Sequence, residues 1–308
     1  MNSENSALYQ ACEALLAAQL NILADKPEET VASTLNALWH AAAGAPLSVQ
    51  RASQFPLAAL DAPATTRLQG LLHQRIAGTP LAHLTGRQQF MGLELQVSAD
   101  ALIPRGETEL LGHAALAHLQ SIIREKNYAA VIDVCTGSGN LALALAHHAP
   151  RARVWAADVS ETAGALAQRN AQNLSLDDRV TFHAGDLLAP FDTPEFYGEV
   201  DLLVCNPPYI SSGKVDAMAG EIIGHEPRLA FDGGPLGIRI LQRLIAEAPR
   251  FLKTNGALAF EVGLGQARGI RKRLEQHGSY GSIGEITDRD GQIRALTAVF
   301  FHRRVNDF

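Results

Sequence analysis

The chain has 308 residues, 47% of them apolar, which is enough for one large domain or two with a sizeable core. It carries 26 Lys plus Arg against 32 Asp plus Glu, and this acidic balance argues against non-specific binding to nucleic acid. Three cysteines without a CxxC pair predict no disulfide framework and favour the cytoplasm. The start has no basic segment followed by an apolar one, and no apolar run has the length of a membrane span, so we expect neither a secretion signal nor a membrane anchor.

The first part of the chain has the apolar spacing of helices. We expect helices over 7–20, 28–43 and 65–77, with a loop rich in Pro and Gly between 44 and 63. Together they predict a small helical domain over residues 1–85. It is either a plain cap or a docking domain for a macromolecule, and the pattern alone does not separate these alternatives.

Residues 86–106 predict a β-hairpin that links two domains. The segment 89–97 alternates in polarity like one strand, and 101–105 resembles a second short one. A helix over 108–120, with Glu107 and Glu109 near its positive N-terminus, then opens a third region over residues 107–308.

Beyond residue 128, strands and helices alternate. This order predicts an α/β fold, a doubly wound and mostly parallel sheet with its ligand at the carboxyl ends of the strands. The expected strands are 129–134, 153–157, 180–184, 200–204 and 257–262, and the expected helices are 141–148, 161–173, 236–252 and 266–276. Two final strands, 282–287 and 294–302, flank an Asp-Arg-Asp-Gly turn that predicts a hairpin.

A glycine-rich turn follows the first strand of this sheet. Asp133 lies near the strand end, and Gly137-Ser138-Gly139 gives the backbone the freedom to turn tightly and approach a ligand. The same turn satisfies the GxGxxG/A dinucleotide pattern, with Asp158 about 20 residues later. Taken alone, it fits NAD as well as S-adenosylmethionine (SAM), or a tight turn without ligand.

Acidic residues follow the next two strands. We expect Asp158 to accept from ribose hydroxyls, although it is also placed to cap the following helix, as Ser160 is. Asp186 is expected at the amine of an adenine, with Leu187 against the ring; an ordinary turn aspartate is the alternative. The Asp133 carboxylate and the loop Thr136–Gly139 are expected near a positively charged methionine moiety.

Asn206-Pro207-Pro208-Tyr209 directly follows the fourth strand. Two prolines hold the chain extended, with an amide before them and an aromatic ring after them. Asn206 Oδ1 and the Pro207 carbonyl are expected to accept the two hydrogens of a planar NH2 group, with Tyr209 against its face. No hydride-transfer set stands nearby, so the segment favours SAM over NAD. By itself it leaves adenine and glutamine open as the methylated group.

Other residues have two interpretations each. Cys135 and Cys205 are oxidisable, but small apolar residues at strand ends are the simpler interpretation. Arg105 is either a structural residue or a substrate contact, and Phe90 is either core or a wall of the substrate channel. The histidines form no HExxH or Cys/His spacing, so we expect no metal.

Several further segments resemble the protein-(glutamine-N5) methyltransferases of the HemK type, one group of amino-methyltransferases with an Asn-Pro-Pro-Tyr motif; N6-adenine DNA methylases are another. The resemblance covers about residues 73–302, and it is closest to the peptide chain release factor branch in Glu107-Thr-Glu109 and Asp290–Arg294. Gly106 departs from that branch, which usually has Pro, and Cys135 is similar to the branch that methylates ribosomal protein L3. The resembling segments are Arg75, Gly78–Gly92, Leu102–Glu109, Asp133–Gly139, His225–Gly234 and Glu261–Gly263.

The resemblance implies SAM-dependent methylation of a glutamine side-chain amide, most closely the Gly-Gly-Gln glutamine of class-one release factors. It implies a cytoplasmic enzyme with a protein substrate and no direct nucleic-acid contact, and we expect a monomer. The expected catalytic residues are Asn206, Pro207 and Tyr209, and the expected substrate-binding residues are those three with Pro208, Phe90 and Arg105. The expected cofactor-binding residues are Asp133, Cys135, Thr136, Gly137, Ser138, Gly139, Asp158, Asp186, Leu187 and Asn206.

Overall fold

The computed structural model describes residues 3–22, 26–217 and 224–301. The chain divides into two compact units. The first comprises Met1–Ala99 with Ala219–Glu226, and the second Asp100–Met218 with Pro227–Phe308. Within the described residues, no helix combines the length and the apolar character that crossing a bilayer requires.

The first unit is mainly helical, as the sequence predicts. Its helices are α1 (Ser3–Gln19), α2 (Val31–Ala42), α3 (Val49–Ala52), α4 (Ala62–Ile76) and α5 (Leu81–Thr85). Thr30 and Asp61 cap α2 and α4 by accepting from the backbone N–H groups of Ser33 and Ala64. The fully buried Leu16, Leu38 and Trp39 lie in its apolar core.

A β-hairpin follows α5 in the same unit. Its strands β1 (Arg87–Phe90) and β2 (Leu93–Gln96) are antiparallel and joined by Met91 and Gly92, both with positive φ (46° and 82°). The prediction of one strand over 89–97 is therefore wrong, because the turn lies inside that segment. The expected second strand over 101–105 is absent: this described stretch belongs to no strand, and it ends at Arg105, which directly precedes the next helix.

The second unit contains a seven-stranded sheet. Its strands are β3 (Ala129–Val134), β4 (Ala152–Asp158), β5 (Val180–Ala184), β6 (Val200–Cys205), β7 (Leu252–Glu261), β8 (Tyr280–Thr287) and β9 (Ile293–Phe300). Its helices are α6 (Gly106–Lys126), α7 (Asn140–His148), α8 (Glu161–Asn173), α9 (Ser212–Asp216), α10 (Arg239–Glu247) and α11 (Ala267–His277).

The strand order is β5-β4-β3-β6-β7-β9-β8. The first five strands are parallel, and β9 and β8 form an antiparallel hairpin at one edge. The predicted doubly wound sheet and its final hairpin are confirmed. The order reverses between β3 and β6, where Val134 pairs with Cys205, so the residues after both strands emerge side by side at the expected ligand position.

Most predicted elements of this sheet agree with the structure to within a few residues, and the region after the motif differs most. The helix expected over 236–252 is shorter, because Pro249 lacks an N–H and α10 gives way to a 3₁₀ turn over Ala248–Arg250. Strand β7 then starts at Leu252, five residues before the predicted strand. Within the strand, Asn255 has a positive φ (69°), and the register with β6 shifts between Leu252 and Ala257.

Candidate functional site

A cavity of about 290 Å³ lies in the second unit, at the carboxyl ends of the parallel strands. Residues from the ends of β3, β4, β5 and β6 line it, together with the start of α6 and one side of α10. Among the lining residues are Arg105, Thr108, Cys135, Thr136, Gly137, Ser138, Asp158, Ser160, Asp186, Leu187, Asn206, Pro208, Asp232 and Arg243.

Asp133 is the most deeply buried acid of this region, with no exposed surface. Its Oδ2 accepts from Thr136 Oγ1 at 2.6 Å and from the Ala142 N–H at 3.1 Å. Its Oδ1 is buried without a hydrogen-bond partner among the described residues. Burial raises the pKa of this carboxyl to about 7, against the two hydrogen bonds, which lower it. An added cationic donor would complete this group.

The loop after β3 turns sharply to bring its backbone to the cavity. Cys135 and Gly137 both have positive φ (58° and 55°), and Gly139, with φ 83°, begins α7. A Cβ on Gly139 would lie 3.1 Å from side chains of Ala167 and Leu143, so any larger residue would be crowded there. The loop therefore needs glycine there for both conformation and packing.

Asp158 holds this loop from the neighbouring strand. Its Oδ2 accepts from the Gly137 N–H and its Oδ1 from the Ser160 N–H, both at 2.9 Å. Burial raises its pKa, and these hydrogen bonds oppose that rise. Ser160, rather than Asp158, caps α8 by accepting from the Ala163 N–H. The capping alternative for Asp158 is therefore wrong, and the carboxylate keeps lone pairs for further donors.

Asp186 and Leu187 follow β5 and line the cavity. Leu187 is buried, with φ 50°. Asp186 is half-exposed and its Oδ2 pairs with Arg243 Nη1 of α10 at 2.8 Å. Arg243 also lines the cavity. This arginine was not predicted, because α10 is far along the chain from Asp186 and no local pattern connects the two.

Asn206 directly follows β6 and is partly buried, between the fully buried Cys205 and the buried Pro207. Its Nδ2 donates to Thr108 Oγ1 at 3.2 Å. Since the amide nitrogen faces Thr108, Oδ1 faces the opposite way. Asn206 and Pro208 both line the cavity, so the segment borders the space in which a substrate would lie.

Tyr209 is held at both its ends. Its hydroxyl donates to Glu261 Oε1 at 2.9 Å, and its carbonyl accepts from Gln266 Nε2 at 2.8 Å. A Cβ on Gly237 would lie 2.3 Å from the same carbonyl, which requires glycine at that position. Burial, followed by the charge of Glu261, raises the pKa of the Tyr209 hydroxyl, so it stays protonated and remains a donor.

Glu261 ends β7 and accepts from Thr108 Oγ1 at 2.7 Å as well as from Tyr209. Burial raises its pKa, and both hydrogen bonds lower it. The roles of Thr108 and Gln266 were not predicted. Thr108 falls within the Glu-Thr-Glu segment, whose resemblance to a known family was the only signal available for it.

The remaining predicted residues are distributed over both units. Arg105 precedes α6 and lines the cavity, as does Cys135. Cys205 is fully buried, and burial raises its thiol pKa, which fits the interpretation of a small apolar residue. Phe90 belongs to the first unit, where it ends β1 and is fully buried. Its place in a substrate channel stays a prediction.

The Rossmann-like sheet and its strand-end cavity are those of a methyltransferase, as comparison with known proteins shows. Residues 113–238 match the family model described as the methyltransferase small domain. The chain is 39% identical to the release factor glutamine methyltransferase of Moorella thermoacetica, over 76% of this chain and 80% of the relative. It is 37% identical to that of Gloeobacter violaceus, over 77% and 80%. The chain belongs to the release factor glutamine methyltransferase family.

Solved structures agree on the fold. The human methyltransferase 10 domain containing protein matches with a TM-score of 0.52 at 18% identity, over 69% of this chain and 90% of that one. The N-terminal domain of human METTL16 in complex with SAH matches with a TM-score of 0.50 at 16% identity, over 76% and 84%. At these identities the likeness shows a shared fold.

Proposed function

We propose that this enzyme transfers a methyl group from SAM to the side-chain amide nitrogen of the glutamine in the Gly-Gly-Gln segment of a class-one release factor. The observation that carries this proposal is the orientation of Asn206, whose Nδ2 is bonded to Thr108 so that Oδ1 is left to accept from an NH2 group. The names of the relatives support the choice of glutamine and of a release factor.

The residues that line the cavity fit SAM, together with Asp133, which is not itself a lining residue but accepts from the lining Thr136. The orphaned Oδ1 of buried Asp133 suits the cationic methionine end, and the Asp158 carboxylate at the end of β4 suits ribose hydroxyls. Asp186 and Leu187 suit the amine and the ring of adenine. The structural neighbour that contains SAH, the demethylated product of SAM, supports the same choice. When bound, SAM supplies an electrophilic methyl group on a sulfonium.

The protein contributes to the reaction chiefly by positioning the target NH2 group. An amide nitrogen is a poor nucleophile because its lone pair is delocalised. Two hydrogen bonds, to Asn206 Oδ1 and to the Pro207 carbonyl, orient the NH2 group and direct the lone pair toward the methyl carbon. As the new N–C bond forms and the S–C bond breaks, the nitrogen becomes acidic and releases one proton to water. Asn206 therefore acts as an acceptor, and no side chain has to remove a proton beforehand.

The test is methyl transfer to separate purified acceptors, with labelled SAM and the full chain. We expect one methyl group on the Gly-Gly-Gln glutamine of a class-one release factor, located by mass spectrometry of its peptides. A release factor with that glutamine replaced by alanine is the matched control and should take no label. Label on ribosomal protein L3 or on DNA adenine instead, or on no acceptor, would contradict the proposed substrate.

A further inference from the structure

Two buried residues behind the Asn-Pro-Pro-Tyr segment connect its two ends. Thr108, in the first turn of α6, and Glu261, at the end of β7, are 1% and 3% exposed. Thr108 Oγ1 donates to Glu261 Oε2 at 2.7 Å, and Glu261 Oε1 accepts from Tyr209 at 2.9 Å. Thr108 Oγ1 in turn accepts from Asn206 Nδ2 at 3.2 Å. One chain of hydrogen bonds thus runs from Asn206 to Tyr209.

The carboxylate fixes the direction of this chain. An ionised carboxylate has only acceptors, so the hydroxyls of Thr108 and Tyr209 must both donate to Glu261. Thr108 has one hydroxyl hydrogen, which is then used, so its oxygen accepts from Asn206. The two ends of an amide are nearly equal in shape, and only their hydrogen bonds decide which end faces Thr108. The charge on Glu261 therefore determines that Asn206 turns Oδ1 away from Thr108.

We propose that Thr108 and Glu261 are positioning residues that set the polarity of the Asn206 amide and hold the Tyr209 ring in place for transfer. This inference rests on the proposed function, in which Asn206 Oδ1 accepts from the target NH2 group. A neutral amide at 261 offers a donor as well as an acceptor, so it permits the Thr108 hydroxyl to reverse. Asn206 can then flip and present its own NH2 to the target NH2, which removes the hydrogen bond that aims the nitrogen.

Other charged groups also face this chain. Arg294 of β9 and Glu107 of α6 both act on Glu261, and their side chains approach each other to 3.9 Å. Burial raises the pKa of Glu261, and the charge of Glu107 raises it further. The hydrogen bonds from Thr108 and Tyr209 and the charge of Arg294 lower it and so favour the ionised form that orients Asn206.

The test compares paired variants that differ in a single hydrogen-bonding group. Thr108→Val removes the hydroxyl at nearly constant shape, and Thr108→Ser keeps it. Glu261→Gln removes only the charge. Its matched control is Asp201→Asn, at an acid that is 2% exposed and lies at the opposite end of β6, where it binds Lys126 and Lys253. Thermal unfolding of each variant shows whether a loss of activity comes from loss of the fold or from loss of the positioning of the target NH2 group.

We expect Thr108→Val and Glu261→Gln to lower the kcat of methyl transfer by about tenfold or more, the worth of a hydrogen bond to a charged group. SAM affinity should stay within about twofold, since neither residue hydrogen-bonds to Asp133, to the loop Thr136–Gly139 or to Asp158. Thr108→Ser should restore most of the kcat, and Asp201→Asn should lower the melting temperature with little change in kcat. Equal activity of Thr108→Val and Thr108→Ser, or losses in SAM affinity alone, would overturn the inference.

A second measurement needs no acceptor and separates this inference from the proposed substrate. In protein labelled with ¹⁵N at asparagine, the side-chain NH2 signal of Asn206 should move in Thr108→Val and Glu261→Gln and stay in Thr108→Ser. An unmoved signal in the first two variants overturns the positioning role, even if release factor is methylated. The expected shifts without methylation of release factor would contradict the substrate and support the positioning role.

Discussion

At the end of β3, Asp133 keeps one carboxylate oxygen buried without a partner among the described residues, whereas at the end of β7 both oxygens of Glu261 are bonded. The first arrangement is incomplete until a donor arrives, and the second is complete in the protein alone. A buried unpaired oxygen costs free energy that a ligand can recover, while a completed network holds its members in place beforehand. We therefore propose that the residues after β3 bind the cofactor, and that the residues after β6 and β7 position the target NH2 group.

The largest effect is expected among the residues after β6, which position the target NH2 group. Asn206→Ala removes the acceptor for the target NH2 group and should lower the kcat of methyl transfer by about 100-fold or more. SAM affinity, measured by calorimetry, should be nearly unchanged. Asn173→Ala, at the end of α8, is the control and should transfer normally. Turnover retained in Asn206→Ala would contradict the proposal that the residues after β6 position the target while those after β3 bind SAM.

On the binding side, Asp133→Asn should act on affinity. The neutral amide can still accept from Thr136 and Ala142, but it offers no charge to a cationic ligand, so the Kd for SAM should rise by about 10- to 100-fold. Stability without ligand should not fall at pH 8, because folding disfavours the ionised form of this buried carboxyl. Calorimetry and thermal unfolding check these outcomes, and an unchanged Kd would contradict the role of Asp133.

The same carboxyl predicts a pH dependence of binding. Burial raises the pKa of Asp133 to about 7, so it is largely neutral at pH 6 and largely ionised at pH 8. If only the ionised form binds the cation, SAM affinity should rise by up to about tenfold between these pH values and level off above them. The rise should be absent in Asp133→Asn. A wild-type affinity that is flat over this range would refute the charge argument.

The smallest effect is expected at the exposed rim. Asp186 and Arg243 form a half-exposed ion pair, and such pairs contribute about 0–1 kcal/mol, so Arg243→Gln should change the Kd for SAM by about fivefold at most. The change should shrink as salt is added. Arg250→Gln, which breaks the similarly exposed pair with Asp192, is the control and should leave the Kd unchanged. A larger effect of Arg243→Gln on the Kd would place this ion pair among the groups that bind SAM.

The two sides also differ in how far the sequence reveals them. Asp133, Gly137 and Asp158 lie at strand ends within 30 residues of one another, and the strand periodicity places them together. Asn206 follows a clear apolar strand, so the sequence predicts its position at a strand end equally well. The doubly wound order follows from the alternation of strands and helices.

The network behind the motif depends on contacts that no local pattern contains. Thr108 lies 98 residues from Asn206 and 153 from Glu261, and the three meet only because α6 packs beside the ends of β6 and β7. Local conformation misled the hairpin prediction for a different reason. Its turn has positive φ at Met91 as well as Gly92, and a methionine there gives no turn signal in the sequence.

The most direct test of this division is to measure SAM affinity and single-turnover transfer at saturating SAM for Asp133→Asn and Asn206→Ala side by side. We predict that Asp133→Asn raises the Kd for SAM and, once saturated, transfers at close to the normal rate. Asn206→Ala should bind SAM normally and fail to transfer. If both variants change the same quantity, either the SAM affinity or the transfer rate, the result would contradict the account in which the residues after β3 bind SAM and those after β6 position the target NH2 group.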